Sequence, residues 1–185
     1  MNAPPRRIVT GHDPRGRSVI QEDGPPGRIR CVGADLVFYE IWHTRSTPAV
    51  IERSSGEPAE DGIVLAPPKN GTRIRIVDIP PDSEQLKGLS KEEAREHFEQ
   101  IGAGSASTHQ GGTKHAYMHR TESIDYGVVL DGELVLIMDE GETVVRTGDI
   151  VIQRGTNHAW ANRSDRTCRI AFILIDGTFA KTEES

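Results

Sequence analysis

Three short turn signals divide the second half of the chain into segments of nearly equal length. The pairs Asp131-Gly132, Glu140-Gly141 and Gly148-Asp149 follow one another at intervals of eight or nine residues. Between them lie runs rich in branched aliphatic residues, such as ELVLIMD and DIVIQR. Short apolar runs joined by tight glycine-containing turns are typical of an antiparallel meander. The pattern predicts that the chain from residue 116 onward is all β and closes as a sandwich or small barrel.

Further strand signals lie outside this region. The runs RSVIQEDGPPG and ADLVFYEIWHT combine β-favouring residues with turn residues, and CRIAFILIDG predicts a buried last strand. In GTRIRIVDIPP, apolar and charged residues alternate. We therefore expect a strand whose Ile74 and Ile76 side chains face the core. The same alternation predicts that Arg73 and Arg75 face water.

One segment has the periodicity of a helix rather than of a strand. In SKEEAREHFEQIG, Ser90 and Glu93 have the spacing of a capping box, and Phe98 and Ile101 fall on one side. This predicts a single short helix over residues 91–101. We expect it to pack over the outside of the barrel.

Length and charge limit the classes of function. A chain of 185 residues suits one soluble domain, and a net charge of −6 with scattered Lys and Arg argues against nucleic-acid binding. No apolar run reaches membrane-spanning length and no signal-peptide core is present, which predicts a cytoplasmic protein that does not bind membranes. Cys31 and Cys168 are far apart and are expected to be reduced thiols.

Two segments resemble the conserved core of the cupin superfamily. HRTESIDYGVVLDG is similar to the first cupin motif, and GDIVIQRGTNHAWAN is similar to the second. Together they lie within residues 119–162, about a quarter of the chain. The resemblance implies an all-β fold, a double-stranded β-helix or jelly-roll barrel, with extra N-terminal strands and one short helix.

The resemblance also implies a domain organisation. Residues 1–105 are expected to supply N-terminal strands and the short helix, 106–178 the barrel core, and 179–185 a flexible tail, all within one compact domain. Many cupins pair or exchange their N-terminal strands, and the resemblance therefore implies a homodimer.

The cupin motif places metal ligands on particular residues of this chain. Its first and last histidines match His119 and His158, and its glutamate matches Asp125. Of the departures from the motif, two affect these ligands. Thr121 stands where the motif has another histidine, and Asp125 is one methylene shorter than glutamate.

The residues themselves allow two interpretations of this set. Side chains alternate across a strand, so His119, Thr121 and Asp125 can share one face, and closure of the barrel can bring His158 to them. Two imidazoles and one carboxylate can bind a divalent metal, Fe, Mn, Zn or Ni, with positions left open for substrate. Alternatively, no metal is bound and the histidines bond an organic anion or water.

The loop GAGSASTHQGGTKH precedes this region and carries two more histidines. Loops that lead into strands often border a binding site, so His109 and His115 are of interest. His115 could supply a further metal ligand from the loop, and Glu122 could do so if a β-bulge re-aimed its side chain.

Several residues are candidates for substrate binding. They are Thr121, Tyr126, Arg154, Trp160 and Asn162. Trp160 and Asn162 share a strand face with His158, and a cavity lined by Trp and Val suits a flat, partly apolar molecule. Arg154 could bind a carboxylate through two hydrogen bonds.

Two classes of function remain open. One is an enzyme acting on a small carboxylated or aromatic metabolite, with lyase, isomerase and dioxygenase chemistry all consistent with the superfamily. The other is a non-catalytic, metal-free protein that binds a small molecule in the same cavity. The fold alone does not choose between them, because function depends on the site.

Overall fold

The structure is a computed structural model that describes residues 2–32, 36–52, 64–83, 89–104, 106–108 and 114–180. Within these ranges the chain forms eleven strands and one helix. The first five strands are β1 (Arg7–His12), β2 (Ser18–Gly24), β3 (Arg28–Val32), β4 (Leu36–Thr44) and β5 (Thr72–Ile79). Helix α1 (Lys91–Glu99) follows, and then β6 (Ser123–Asp131), β7 (Glu133–Met138), β8 (Glu142–Arg146), β9 (Ile150–Arg154), β10 (His158–Ala161) and β11 (Cys168–Asp176).

Two sheets enclose the core. The larger has six strands in the order β3-β4-β5-β11-β6-β9, and the smaller has three in the order β10-β7-β8. Val77 and Ile170 from the large sheet join one buried apolar cluster with Leu134 and Val145 from the small sheet. Every strand pairing within the two sheets is antiparallel. The predicted all-β jelly-roll architecture is confirmed.

The predicted tight turns are present. Gly132 joins β6 to β7 with φ of 88°, a backbone conformation that residues with a Cβ rarely adopt. A Cβ atom at this position would lie 3.0 Å from the Cα of Cys168. Glycine is therefore required here both by the turn and by the close approach of the last strand.

Strand β5 corrects one prediction from the sequence. Arg73 and Arg75 are each only 1% exposed and point into the barrel, whereas Ile74 and Ile76 are half-buried on the opposite face. The two guanidinium groups lie 3.0 Å from the two carboxylate oxygens of Glu40, on the neighbouring strand β4. The predicted alternation is correct, but the assignment of the two faces is wrong because a buried carboxylate provides ionic partners for the arginines.

Helix α1 is confirmed, and its capping box has both reciprocal bonds between Ser90 and Glu93. Its placement differs from the prediction. Phe98 and Ile101 are each 5% exposed, belong to the main core cluster and line the interior cavity. The helix segment therefore forms part of the cavity wall as well as packing over the barrel, because its apolar side is buried against the sheets.

The N-terminal strands have two roles. Strands β3 to β5 extend the large sheet, which confirms the predicted extension for β4 and β5. The sequence does not predict β1 or β3, and the predicted strand β2 lies outside the large sheet. Strands β1 and β2 form a separate hairpin, and a hydrogen bond from Arg7 to the carbonyl of Ile41 connects it to the large sheet.

Cys31 is exposed, Cys168 is buried, and both are free thiols. No helix in the described ranges is long and apolar enough to cross a membrane.

Candidate functional site

Two histidines from distant parts of the chain meet inside the barrel. His119 precedes β6, and His158 begins β10. Each donates its backbone N–H to the carbonyl of the other at 2.9 Å, which forms an isolated antiparallel bridge. Residues directly opposite each other in such a bridge project their side chains to the same side. The two imidazole rings accordingly lie 4.3 Å apart between centroids, and both line the same cavity.

The hydrogen bonds of the two rings define their tautomers. Nδ1 of His119 lies 2.9 Å from the carbonyl oxygen of Tyr117, and Nδ1 of His158 lies 3.0 Å from that of Thr156. A carbonyl oxygen only accepts, so each Nδ1 carries the proton and donates it. Burial is the main cause that lowers the pKa of both rings, that of His158 to about 3. Both rings are therefore neutral at pH 7, with a lone pair on Nε2.

Asp125 is the buried acid of the cavity. Inward-facing residues alternate along β6, and Asp125 is only 7% exposed, with no hydrogen-bond partner for its Oδ1. Burial raises the pKa of this carboxyl to about 6, against the opposing effects of a hydrogen bond from Ser123 and the charge of Arg75. Loss of hydration outweighs both, because the charged form is the one that burial penalises. Asp125 thus titrates just below neutral pH.

The cavity has a volume of about 420 Å³. Most of its wall is apolar, contributed by Val32, Leu36, Phe38, Val77, Ile79, Pro80, Pro81, Leu89, Phe98, Ile101, Trp160, Phe172 and Leu174. Trp160 packs edge-on against Phe172 with ring centroids 5.4 Å apart, and at 5.9 Å against His158. An apolar chamber with a few convergent polar groups is the usual form of a small-molecule site.

A second polar group lines the cavity near helix α1. The hydroxyl of Tyr117 lies 2.7 Å from Nδ1 of His97, and burial, assisted by the charge of Asp82, raises the pKa of Tyr117 to about 12. His115, a candidate from the loop, accepts a hydrogen bond from the backbone N–H of Tyr117 and lies 3.5 Å from Asp82.

The sequence does not predict His97, Asp82 or Arg75 as cavity-lining residues. Only the alternation in β5 pointed toward Arg75, on the wrong face.

Two residues predicted to bind substrate lie outside the cavity wall. Tyr126 is 38% exposed and faces outward, because it neighbours the inward-facing Asp125 on β6. Arg154 is exposed at the end of β9, opposite Ile124. Thr121 and Trp160 do line the cavity, as the strand alternation predicted.

Asn162 has a structural position rather than one in the cavity wall. Its side-chain amide donates to the carbonyls of Ile79 at 2.8 Å and Arg166 at 2.9 Å. It therefore holds the loop between β10 and β11 against the end of β5. Glu122 also points away from the cavity and accepts a bond from the backbone N–H of Phe179. His109 lies outside the described residues.

The predicted metal ligands are not assembled as a cluster. Among the residues that the structure describes, no group of three or more His, Cys, Asp or Glu side chains could hold a metal ion. His119 and His158 offer two imidazole nitrogens side by side, with the Nδ1–H bonds to backbone that metal-binding histidines commonly make. Asp125 lines the same cavity but is not grouped with them in a ligand cluster. The described part of the site therefore does not fit the three-ligand set.

The two sheets and the buried, mostly apolar cavity between them define a jelly-roll type of β-barrel. The Cupin domain family model matches residues 106–175. Phomopsin biosynthesis cluster protein C' of Diaporthe leptostromiformis is 33% identical over 93% of this chain and 78% of its own length. The cupin-domain-containing oxidoreductase srdD of Neurospora crassa is 38% identical over 92% of this chain and 74% of its own. The chain belongs to the cupin superfamily.

Among solved structures, the chain is similar to a putative ethanolamine utilization protein from Salmonella typhimurium. The TM-score is 0.45 with 8% sequence identity, over 96% of this chain and 100% of that one.

Proposed function

We propose that this protein is an enzyme that binds a small, largely apolar or aromatic metabolite in the barrel and removes a proton from it. The observation that carries the proposal is Asp125, a buried carboxylate with an unpaired oxygen on the wall of an apolar cavity. A carboxyl with a pKa of about 6 is mostly ionised at pH 7 and still basic enough to accept a proton.

The size and lining of the cavity support the class of substrate. About 420 Å³ lies within the range of sites for small organic ligands, and Trp160 and Phe172 offer aromatic surfaces to a flat molecule. The relatives of this chain include a cupin-domain-containing oxidoreductase and a biosynthesis cluster protein, which supports a metabolite as the substrate. Removal of an acidic O–H or C–H proton begins many lyase and isomerase reactions, and also the oxidation of alcohols.

Binding in the cavity can be tested by thermal shift with a panel of aromatic metabolites. A ligand that binds only the native state raises the melting temperature, so we expect hits with the wild-type protein. The same hits should persist in Tyr126→Phe, whose side chain faces outward, and weaken in Trp160→Ala. If a ligand raises the melting temperature of Trp160→Ala as much as that of the wild type, it binds elsewhere, and this result would contradict the proposal.

The second candidate is a metal-free binding protein, and it is favoured by the incomplete ligand set. Metal analysis of untagged protein purified without chelator tests whether His119, Asp125 and His158 bind a metal, and an assay for turnover of bound metabolites separates an enzyme from a binding protein. Stoichiometric Fe, Mn, Zn or Ni that disappears in His158→Ala would support a metal-dependent enzyme. Metal-free protein that binds metabolites without consuming them would support the second candidate.

We also propose a homodimer formed through the N-terminal strands. Ile8 and Ile20 on the β1–β2 hairpin are 50% and 65% exposed, which leaves apolar surface for a partner copy. Sedimentation analysis should give twice the chain mass of 20.3 kDa, and Ile20→Lys should shift the protein toward the monomer. A monomeric wild type would refute the proposal, and a dimer that resists Ile20→Lys would place the interface elsewhere.

A further inference from the structure

The polar atoms beside the histidine pair have one property in common. Nε2 of His119 and Nε2 of His158 each hold a lone pair, because Nδ1 of each ring is the protonated nitrogen. Neither Nε2 has a hydrogen bond among the described residues. Oδ1 of Asp125 is also without a partner. All three atoms are hydrogen-bond acceptors that a bound molecule can satisfy.

From these acceptors we infer the class of ligand, an inference that rests on the proposed function. We propose that the cavity selects uncharged aromatic molecules bearing hydroxyl groups, such as phenols and catechols. Their O–H groups donate to Asp125, His119 and His158, while the ring lies against the apolar wall. A buried acceptor left without a hydrogen bond is unfavourable, so a ligand without donors loses affinity.

The charges around the cavity disfavour carboxylated ligands. Its wall carries two carboxylates, Asp82 and Asp125, and one guanidinium, Arg75. Arg75 already lies 3.0 Å from Glu40, in an ion pair on the large sheet. An anionic ligand would therefore face a wall with an excess of negative charge, and like charges repel strongly in a buried site. Hydroxylated ligands avoid this repulsion and satisfy the acceptors.

Bulky aromatic side chains border the acceptors. Trp160 contacts His158 edge-on at 5.9 Å, and Phe98 lies 5.3 Å from the ring of His119. Both side chains line the cavity. A flat ring placed between these groups would lie beside the two histidines that carry the Nε2 acceptors. This arrangement matches a hydroxylated aromatic better than a flexible aliphatic alcohol, whose ordering would cost more conformational entropy.

Three matched probes test the inference at neutral pH by isothermal titration calorimetry on the full chain. They are 2,3-dihydroxynaphthalene, 2,3-dimethoxynaphthalene and 2-naphthoate. We expect the diol to bind at least about tenfold more tightly than either of the others, because only the diol supplies donors. Tyr126→Phe, on the outer face, should keep the preference.

Two variants localise the preference. Asp125→Leu removes an acceptor without adding a polar atom, and His158→Phe keeps a ring but removes both nitrogens. Each should reduce the ratio of the diol affinity to the dimethoxy affinity about tenfold. The melting temperature of each variant shows whether it is folded. A dimethoxy or carboxylate probe that binds as tightly as the diol would overturn the inference and leave cavity binding intact. Failure of all three probes to bind would overturn the proposed function together with the inference.

Discussion

Glu40→Ala is expected to lower the free energy of unfolding by about 3–5 kcal/mol. The carboxylate of Glu40 lies 3.0 Å from both Arg73 and Arg75, and all three side chains are at most 5% exposed. Without Glu40, two guanidinium charges stay inside the barrel with no carboxylate between them. Chemical denaturation with urea, monitored by circular dichroism, measures the loss.

An exposed ion pair provides the matched control. Glu142 binds Arg163 through two hydrogen bonds, but both side chains are about half exposed. Water replaces such a pair readily, so Glu142→Ala should leave the melting temperature almost unchanged. A triple variant, Glu40→Leu with Arg73→Met and Arg75→Met, should recover most of the stability lost in Glu40→Ala, because it removes the carboxylate and both guanidinium groups of the cluster together. A Glu40→Ala protein as stable as the wild type would contradict the buried ion pair.

Asp125→Asn is expected to stabilise the protein, and to do so more at neutral than at acidic pH. The pKa of Asp125 rises from 3.8 to about 6 on folding, mainly because the carboxyl is buried. Between these values the native state binds more protons than the unfolded state, so stability falls as pH rises. Above about pH 6 the loss is complete and amounts to about 3 kcal/mol at most. Asparagine does not ionise and avoids this cost.

The measurement compares the melting temperatures of Asp125→Asn and wild type across the acidic and neutral range, in chelator-treated protein. The difference should be small near pH 4 and should grow up to about pH 6 to 7, which spans the titration of Asp125. The same substitution should abolish any turnover if Asp125 accepts the substrate proton. A difference that does not change with pH would show that the carboxyl titrates normally.

Most strands and the helix could be predicted from local sequence patterns. The turn at Gly132 demands a conformation that glycine adopts easily, and the capping box of Ser90 and Glu93 acts within a single helical turn. Both depend on residues close in the chain. The strands and the helix that these patterns predict agree with the structure to within a few residues at their ends, whereas β1 and β3 were missed.

Only part of the site could be predicted from the sequence. Strand alternation from the motif residues correctly placed Thr121 and Trp160 on the cavity wall. The same alternation predicted that Asn162 lines the cavity, but its side-chain amide donates hydrogen bonds to backbone carbonyls of two other segments. Whether an inward polar side chain reaches the cavity or a neighbouring loop depends on contacts that the local sequence does not contain.

The sequence by itself determined where most strands begin and end, which residues alternate, and that His119 and His158 lie in segments that resemble the two cupin motifs. Only the tertiary structure decided which face of β5 is interior and how strongly burial shifts the pKa of Asp125. The physical reason is that alternation is a property of neighbouring residues, whereas burial and charge compensation depend on remote partners. Glu40, more than thirty residues before the arginines it binds, makes their inward orientation energetically acceptable.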